Sequence, residues 1–129
     1  MTDFDRMKEI LEKQKQKHIN DGPLPVSIRK DWIDRCISSL IKYQNEIADT
    51  ISEDFGHRSK ESSLLSDVAG SITSLKMAKE NIDKWVKPEK RKVSPSILGY
   101  LGAKLKIEYQ PLGTVGVISP WNFPVTLTF

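Results

Sequence analysis

The segment Ser119-Pro120-Trp121-Asn122-Phe123-Pro124 holds a polar side chain, Asn122, in a frame rigid enough for catalysis. Pro120 and Pro124 stand two residues to either side of it, and a pyrrolidine ring locks φ at each. An amide held that way is a fixed N–H donor, which is what an oxyanion growing on a reacting carbonyl requires in a dry cleft. The apolar run Val115-Gly116-Val117-Ile118 precedes it. The segment therefore falls at the carboxyl end of an expected strand, where open α/β sheets bind ligands. The competing reading is a turn that Asn122 merely satisfies, and spacing alone favours the turn.

The other reactive side chains carry less. Cys36 is the single cysteine, which excludes an intrachain disulfide and a cysteine-cluster zinc site. It recurs on one helical face with Trp32, Leu40 and Tyr43 and has no histidine beside it, so it reads as a buried, inert thiol. His18 and His57 are separated in sequence, one near a helix end and one in a loop, and suit surface or capping roles. Two histidines and one cysteine leave too few soft ligands for a structural zinc. The run Lys84-Trp85-Val86-Lys87-Pro88-Glu89-Lys90-Arg91-Lys92 has the basic and aromatic outline of a nucleic-acid patch. Cations at a helix C-terminus also complement the macrodipole, and that ordinary account is preferred.

Positioning these residues takes a series of helices and two strands. A helix is expected over about residues 3–18, with Thr2 and Asp5 as a weak capping box and Phe4, Met7, Ile10, Leu11 and Gln14 on one face. Gly22, Pro23 and Pro25 end it. A second helix is expected from an N-cap at Ser27. A separate short one follows from Asn45, carrying Ile47, Ile51 and Phe55 and stopping at Gly56. From about Ser62 a long helix shows the stripe Leu65, Val68, Ile72, Leu75, Ile82 and Val86. Three heptads broken at Lys79 favour a packed core face over a coiled coil.

Pro88 stops that helix, and residues 87–102 read as a basic linker containing Pro and Gly. The period then changes. Leu105, Ile107 and Tyr109 alternate with Lys104, Lys106, Glu108 and Gln110, the pattern of a half-buried strand. Gly113 and Gly116 do not make a G-x-G-x-x-G fingerprint and read as a tight turn and a close strand contact. Residues 115–118 suit a strand covered on both faces, which belongs in a parallel sheet. A parallel partner needs a crossover of roughly a dozen residues. The sheet for this strand is therefore expected outside these residues, and the chain reads as cut.

Composition sets the outer bounds. The 129 residues, 38% hydrophobic and 29% charged, suit one domain. A net charge of +3, from 20 basic and 17 acidic residues, is too small to argue a nucleic-acid partner. The start, Met1-Thr2-Asp3-Phe4-Asp5, lacks the apolar region of a signal peptide. Residues 109–129 are uncharged, yet Pro111, Pro120, Pro124, Gly113 and Gly116 break the backbone ladder too often for a lipid-facing helix. The chain is expected to be soluble and cytoplasmic, with no membrane partner.

The stretch from Tyr109-Gln110-Pro111-Leu112-Gly113 through Ser119-Pro120-Trp121-Asn122-Phe123-Pro124 resembles the opening segment of the aldehyde dehydrogenase superfamily. Asp54-Phe55-Gly56-His57-Arg58-Ser59 and Trp85-Val86-Lys87-Pro88-Glu89 resemble its coniferyl-aldehyde dehydrogenase branch, relatives of the class 3 enzymes. The resemblance runs over about residues 25–129. It implies an α/β fold, of which this mostly helical segment supplies the N-terminal helices of a Rossmann-like cofactor domain and the first strands. On that plan residues 1–24 are a helix and turn, and 25–103 the helical part of the cofactor domain with its basic linker. Residues 104–112 become a strand of the oligomerisation sheet, and 113–129 the first Rossmann-like strand and the start of the next element.

The implied function is NAD(P)-dependent oxidation of an aldehyde, aromatic and coniferyl-like, to a carboxylic acid through a cysteine thioester. Asn122 would stabilise the oxyanion, and Ile118, Ser119, Pro120 and Trp121 would line the cleft for NAD or NADP. A homo-oligomer acting on an aldehyde, with no nucleic-acid partner, is implied. The family's nucleophilic cysteine, glutamate base, cofactor-contacting lysine and glycine-rich turn have no counterpart here. The chain is thus expected to be an N-terminal portion, inactive alone. The alternative is a free-standing helical module that binds an acidic partner or full-length subunits, motivated by the stripe from Leu65 to Leu75.

Overall fold

The structure, a computed structural model, describes residues 2–129 and is mostly helical. Helix α1 is Asp3–Asp21. Its capping box closes both ways: Asp5 N–H donates to Thr2 Oγ1 at 3.2 Å, and Thr2 N–H to the Asp5 carboxylate at 3.0 Å. Those bonds from the Thr2 side chain and backbone hold the Asp5 carboxyl below its ordinary value. The helix outruns its expected end by a turn, with Lys17 paired to Asp21 at 2.5 Å, before Gly22 at φ 70° stops it. No residue on the apolar face of α1 is fully buried.

Helix α2, Val26–Phe55, corrects two expectations at once. Pro25 rather than Ser27 stands at its N-cap, because a fixed φ and a missing N–H suit a helix start. No second helix begins at Asn45. Between Pro25 and Gly56 the sequence has no Gly or Pro, and a lone exposed Asn costs a helix only tenths of a kcal/mol, roughly. The buried positions Ile37, Leu40, Ala48 and Ile51 continue straight through. Gly56, at φ 73°, forms the left-handed cap expected of it.

Helix α3, Lys60–Ser63, starts two residues before the expected Ser62, since the Ser59 hydroxyl accepts the Ser62 N–H at 3.0 Å. It runs into a π-helical segment, Leu64–Ala69, and then helix α4, Gly70–Trp85. The π turn corrects the expected stripe. Val68, Leu75 and Ile82 are buried, but Leu65 is 75% exposed, because the wider turn rotates what precedes it off the core face.

Residues 87–102 are more than a linker. They contain strand β1, Glu89–Arg91, and helix α5, Ser96–Tyr100. Strand β2, Leu105–Ile107, pairs antiparallel with β1, Glu89 opposite Ile107 and Arg91 opposite Leu105. It is exposed on both faces rather than half-buried, because a two-stranded ribbon has no layer to cover it. Tyr109 Oη donates to the Glu89 carboxylate, and that bond raises the phenol above its ordinary value. The buried strand expected at residues 115–118 does not form: the backbone there is irregular and Val115, Val117 and Ile118 are exposed. A strand needs a ladder partner, and none of the described residues supplies one. Gly116 accordingly makes no close contact.

Cα packing divides the chain into two compact units, one holding the stretch to Pro23 with Asn81–Thr114, the other Leu24–Glu80 with Val115–Phe129. The core of the second is Ile37, Leu40 and Leu75, with Ile33, Cys36, Ile47, Ile72 and Val125 packed on it. Among the described residues no helix is long and apolar enough to cross a membrane.

Candidate functional site

Asn122 lies in the second unit, and the residues that hold it there come from the connection between α2 and α3 and from the π turn. Three hydroxyls around that turn bond back to carbonyls four residues earlier: Ser66 to Ser62 at 2.8 Å, Ser71 to Asp67 at 2.5 Å, Thr73 to Ala69 at 2.8 Å. Such bonds compete with the regular ladder and loosen it. The Gly70 N–H then reaches the Leu65 carbonyl, five residues back. Asp67 sits in this turn with its side chain fully buried.

A buried carboxylate must be paired and hydrogen-bonded, and Asp67 is both. Its Oδ2 accepts from Arg58 Nη2 at 2.8 Å and from Ser66 Oγ at 3.2 Å. Its Oδ1 accepts the backbone N–H groups of Val125 and Thr126 at 3.1 and 3.3 Å. Arg58, 14% exposed, completes the link. Its Nη1 donates to the Asn122 carbonyl at 2.6 Å and its Nη2 also to Ser66 Oγ at 3.0 Å. The guanidinium carbon lies 5.3 Å from the Phe55 ring centre and 5.0 Å from that of Phe123, within cation–π range of both. Gly70 lets the segment come near: a Cβ there would meet Thr126 Oγ1 at 2.9 Å.

The segment from Ser119 to Pro124 is thus tied by Arg58 and Asp67 at and just beyond its carboxyl side, and by the Ser119 hydroxyl at its start. Asn122 is exposed, its carbonyl is bonded, and its side-chain amide makes no hydrogen bond among the described residues. Ser119 Oγ bonds Thr128 Oγ1, and the Thr128 hydroxyl donates to the Pro124 carbonyl at 2.7 Å. Ile118 is 98% and Trp121 74% exposed, and Ser119 and Pro120 are exposed as well. Trp121 and Asn122 form a turn, and no backbone hydrogen bond of ordinary geometry involves residues 118–121 among the described residues. The four residues expected to line a cofactor cleft precede Asn122 directly and expose apolar surface, while the Ser119 hydroxyl is engaged by Thr128.

The other sequence candidates fall elsewhere. Cys36 is half-buried on the expected face, in an apolar groove with Trp32, Leu40, Tyr43, Val125 and Phe129. His57 is exposed, and the His18 ring lies against Gly113. Among the described residues no cluster of His, Cys, Asp and Glu could hold a metal. Sequence reasoning missed Arg58 and Asp67 as a pair. The signal available was an aspartate set beside Val68 inside an otherwise apolar and hydroxylic helix start, Leu64-Leu65-Ser66-Asp67-Val68.

Residues 4–129 match the family described as "Aldehyde dehydrogenase family". The chain is 54% identical over 123 residues to a "Probable coniferyl aldehyde dehydrogenase" of Caulobacter vibrioides, covering 95% of this chain and 25% of that protein. It is 43% identical over 125 residues to a "Coniferyl aldehyde dehydrogenase" of a Pseudomonas species, covering 97% and 25%. With a "Probable coniferyl aldehyde dehydrogenase" of Pseudomonas aeruginosa the identity is 31% over 126 residues, covering 98% and 26%. The chain spans about a quarter of the length of these relatives. No solved structure matches it significantly.

Proposed function

The chain belongs to the aldehyde dehydrogenase family, and on that footing we propose that it supplies the N-terminal quarter of an NAD(P)-dependent enzyme that oxidises an aromatic, coniferyl-like aldehyde to its acid. The substrate class is taken from the names borne by relatives 54% and 43% identical to it. The helices of residues 25–92 would pack on a Rossmann-like cofactor domain, β2 would join an oligomerisation sheet, and residues 115–118 would become a strand once neighbouring strands pair with them. The active form would be a homo-oligomer.

In this reading a cysteine thiolate outside these residues attacks the aldehyde carbon, and the carbonyl oxygen becomes an oxyanion. Asn122 donates its side-chain N–H to that oxygen. An amide fixed in place before reaction stabilises the developing charge without reorganising at the moment of attack. The chemistry NAD(P) supplies when bound is acceptance of the hydride. Ile118, Ser119, Pro120 and Trp121 would hold it, and their exposure supports contact with a dinucleotide. The choice between NAD and NADP rests on residues elsewhere.

The observation that carries the proposal is at Asn122: its backbone carbonyl is anchored at 2.6 Å while its amide is left free. Asn122 stands in a turn with Trp121, and that turn leaves its side-chain amide available for a ligand. In the full enzyme, Asn122→Ala should slow acylation by about 10²–10³-fold, the range for losing one oxyanion donor. The burst of reduced cofactor in stopped flow reads this rate, and an unchanged burst would remove Asn122 from the mechanism.

A further inference from the structure

The geometry points to Arg58 and Asp67 as a positioning pair for Asn122, touching neither aldehyde nor cofactor and setting the direction of the amide. The inference rests on the role given to Asn122 above. Two attachments bracket that residue's onward chain. Arg58 Nη1 holds the Asn122 carbonyl at 2.6 Å, and Asp67 Oδ1 holds the N–H groups of Val125 and Thr126 at 3.1 and 3.3 Å. Both attachments converge on one ion pair, closed at 2.8 Å between Arg58 Nη2 and Asp67 Oδ2.

Between them lies Pro124, with its fixed φ. The backbone from Asn122 to Thr126 therefore has few soft torsions in which to absorb a shift of its anchor. A displacement at Arg58 passes to the Asn122 backbone and on to its amide. The guanidinium is itself confined by the Phe55 and Phe123 rings and by Ser66 Oγ at 3.0 Å. Its planar fork serves a carboxylate and a carbonyl together, which a lysine ammonium, a point charge on a flexible stem, does not reproduce. An oxyanion donor acts only from the right place, and misplacement by about 1 Å can cost about 10²-fold.

The test uses the full enzyme as wild type, Arg58→Lys, Asn122→Ala and the double variant, with acylation measured in single turnover beside KM and thermal stability. Arg58→Lys keeps a positive charge against Asp67. It should slow acylation by about 10- to 100-fold with KM for the aldehyde little changed. In the Asn122→Ala background the same substitution should have no further effect on acylation.

An equal loss in both backgrounds would mean that Arg58 supports the fold in general, and would overturn the positioning role while leaving Asn122 in the mechanism. Wild-type acylation by Arg58→Lys would overturn it too. Wild-type acylation by Asn122→Ala would remove the role of Asn122 and with it anything to position. Should Arg58→Lys fail to fold, Ser66→Ala serves, since it removes one anchor of the guanidinium and keeps the ion pair. Its slowing, of about threefold or more, should again vanish when Asn122 is Ala, and persistence there would overturn the inference.

Discussion

Asn122 and Asp5 show how single side chains in this protein act through what is bonded to them. Asn122 offers a free amide because its carbonyl, not its side chain, takes the structural bond. Asp5 does the reverse, spending its carboxylate on the Thr2 N–H and hydroxyl. Bonds to the charged form depress the Asp5 carboxyl. The capped helix is therefore favoured at any pH above the ordinary aspartate value, and that contribution is withdrawn as pH falls through the depressed one. Protection of the first-turn amides of α1 against hydrogen exchange should drop below about pH 4. Asp5→Asn should lower protection at neutral pH and abolish its dependence on acid. Protection independent of pH in the native chain would mean that the box does not hold the helix end.

The π turn is the element on which the proposed site depends: it carries Asp67, whose buried carboxylate accepts from the backbone N–H groups of Val125 and Thr126. Gly70 marks the tightest point. Its φ of −58° and ψ of −50° are ordinary helical values, so helix propensity alone would favour alanine by about 1 kcal/mol. Against that, the new Cβ would stand 2.9 Å from Thr126 Oγ1, and overpacking costs about 1–3 kcal/mol. Gly70→Ala should thus destabilise by about 1 kcal/mol net. In a Thr126→Ala background, where the obstructing hydroxyl is gone, the same change should instead stabilise by about 1 kcal/mol. Urea unfolding of the four proteins reads the reversal of sign, and a loss in both backgrounds would place the close contact elsewhere.

For the whole molecule, exposed apolar surface is the dominant fact. Tyr100, Leu101 and Leu112 in the first unit, and Ile118 and Trp121 in the second, are more exposed than buried. Exposure of this many large apolar side chains in a short chain is what contact with further protein would cover. The 129-residue chain studied alone should take up a hydrophobic dye and sediment heavier than a monomer. A monodisperse monomer without dye uptake would favour the free-standing helical module over a segment of a larger enzyme. The relatives are about four times the length this chain covers in them, which accords with the larger enzyme.

Local signals in the sequence determined most of the helices and singled out the segment proposed to hold the site. The Thr2–Asp5 box, the stop at Gly56 and the rigid frame around Asn122 all depend on residues within a few positions of one another, where backbone sterics and hydrogen bonds act at short range. The single α2 is also legible in the absence of Gly and Pro between Pro25 and Gly56. Tertiary structure decided the rest. Arg58 and Asp67 reach Asn122 and Val125 across 64 and 58 positions of sequence, and no local pattern announces a pairing between residues so far apart. Residues 115–118 show the same limit from the other side. Their apolar run has the composition of a buried strand, but a strand is completed by its neighbours, and its ladder cannot be written in one segment.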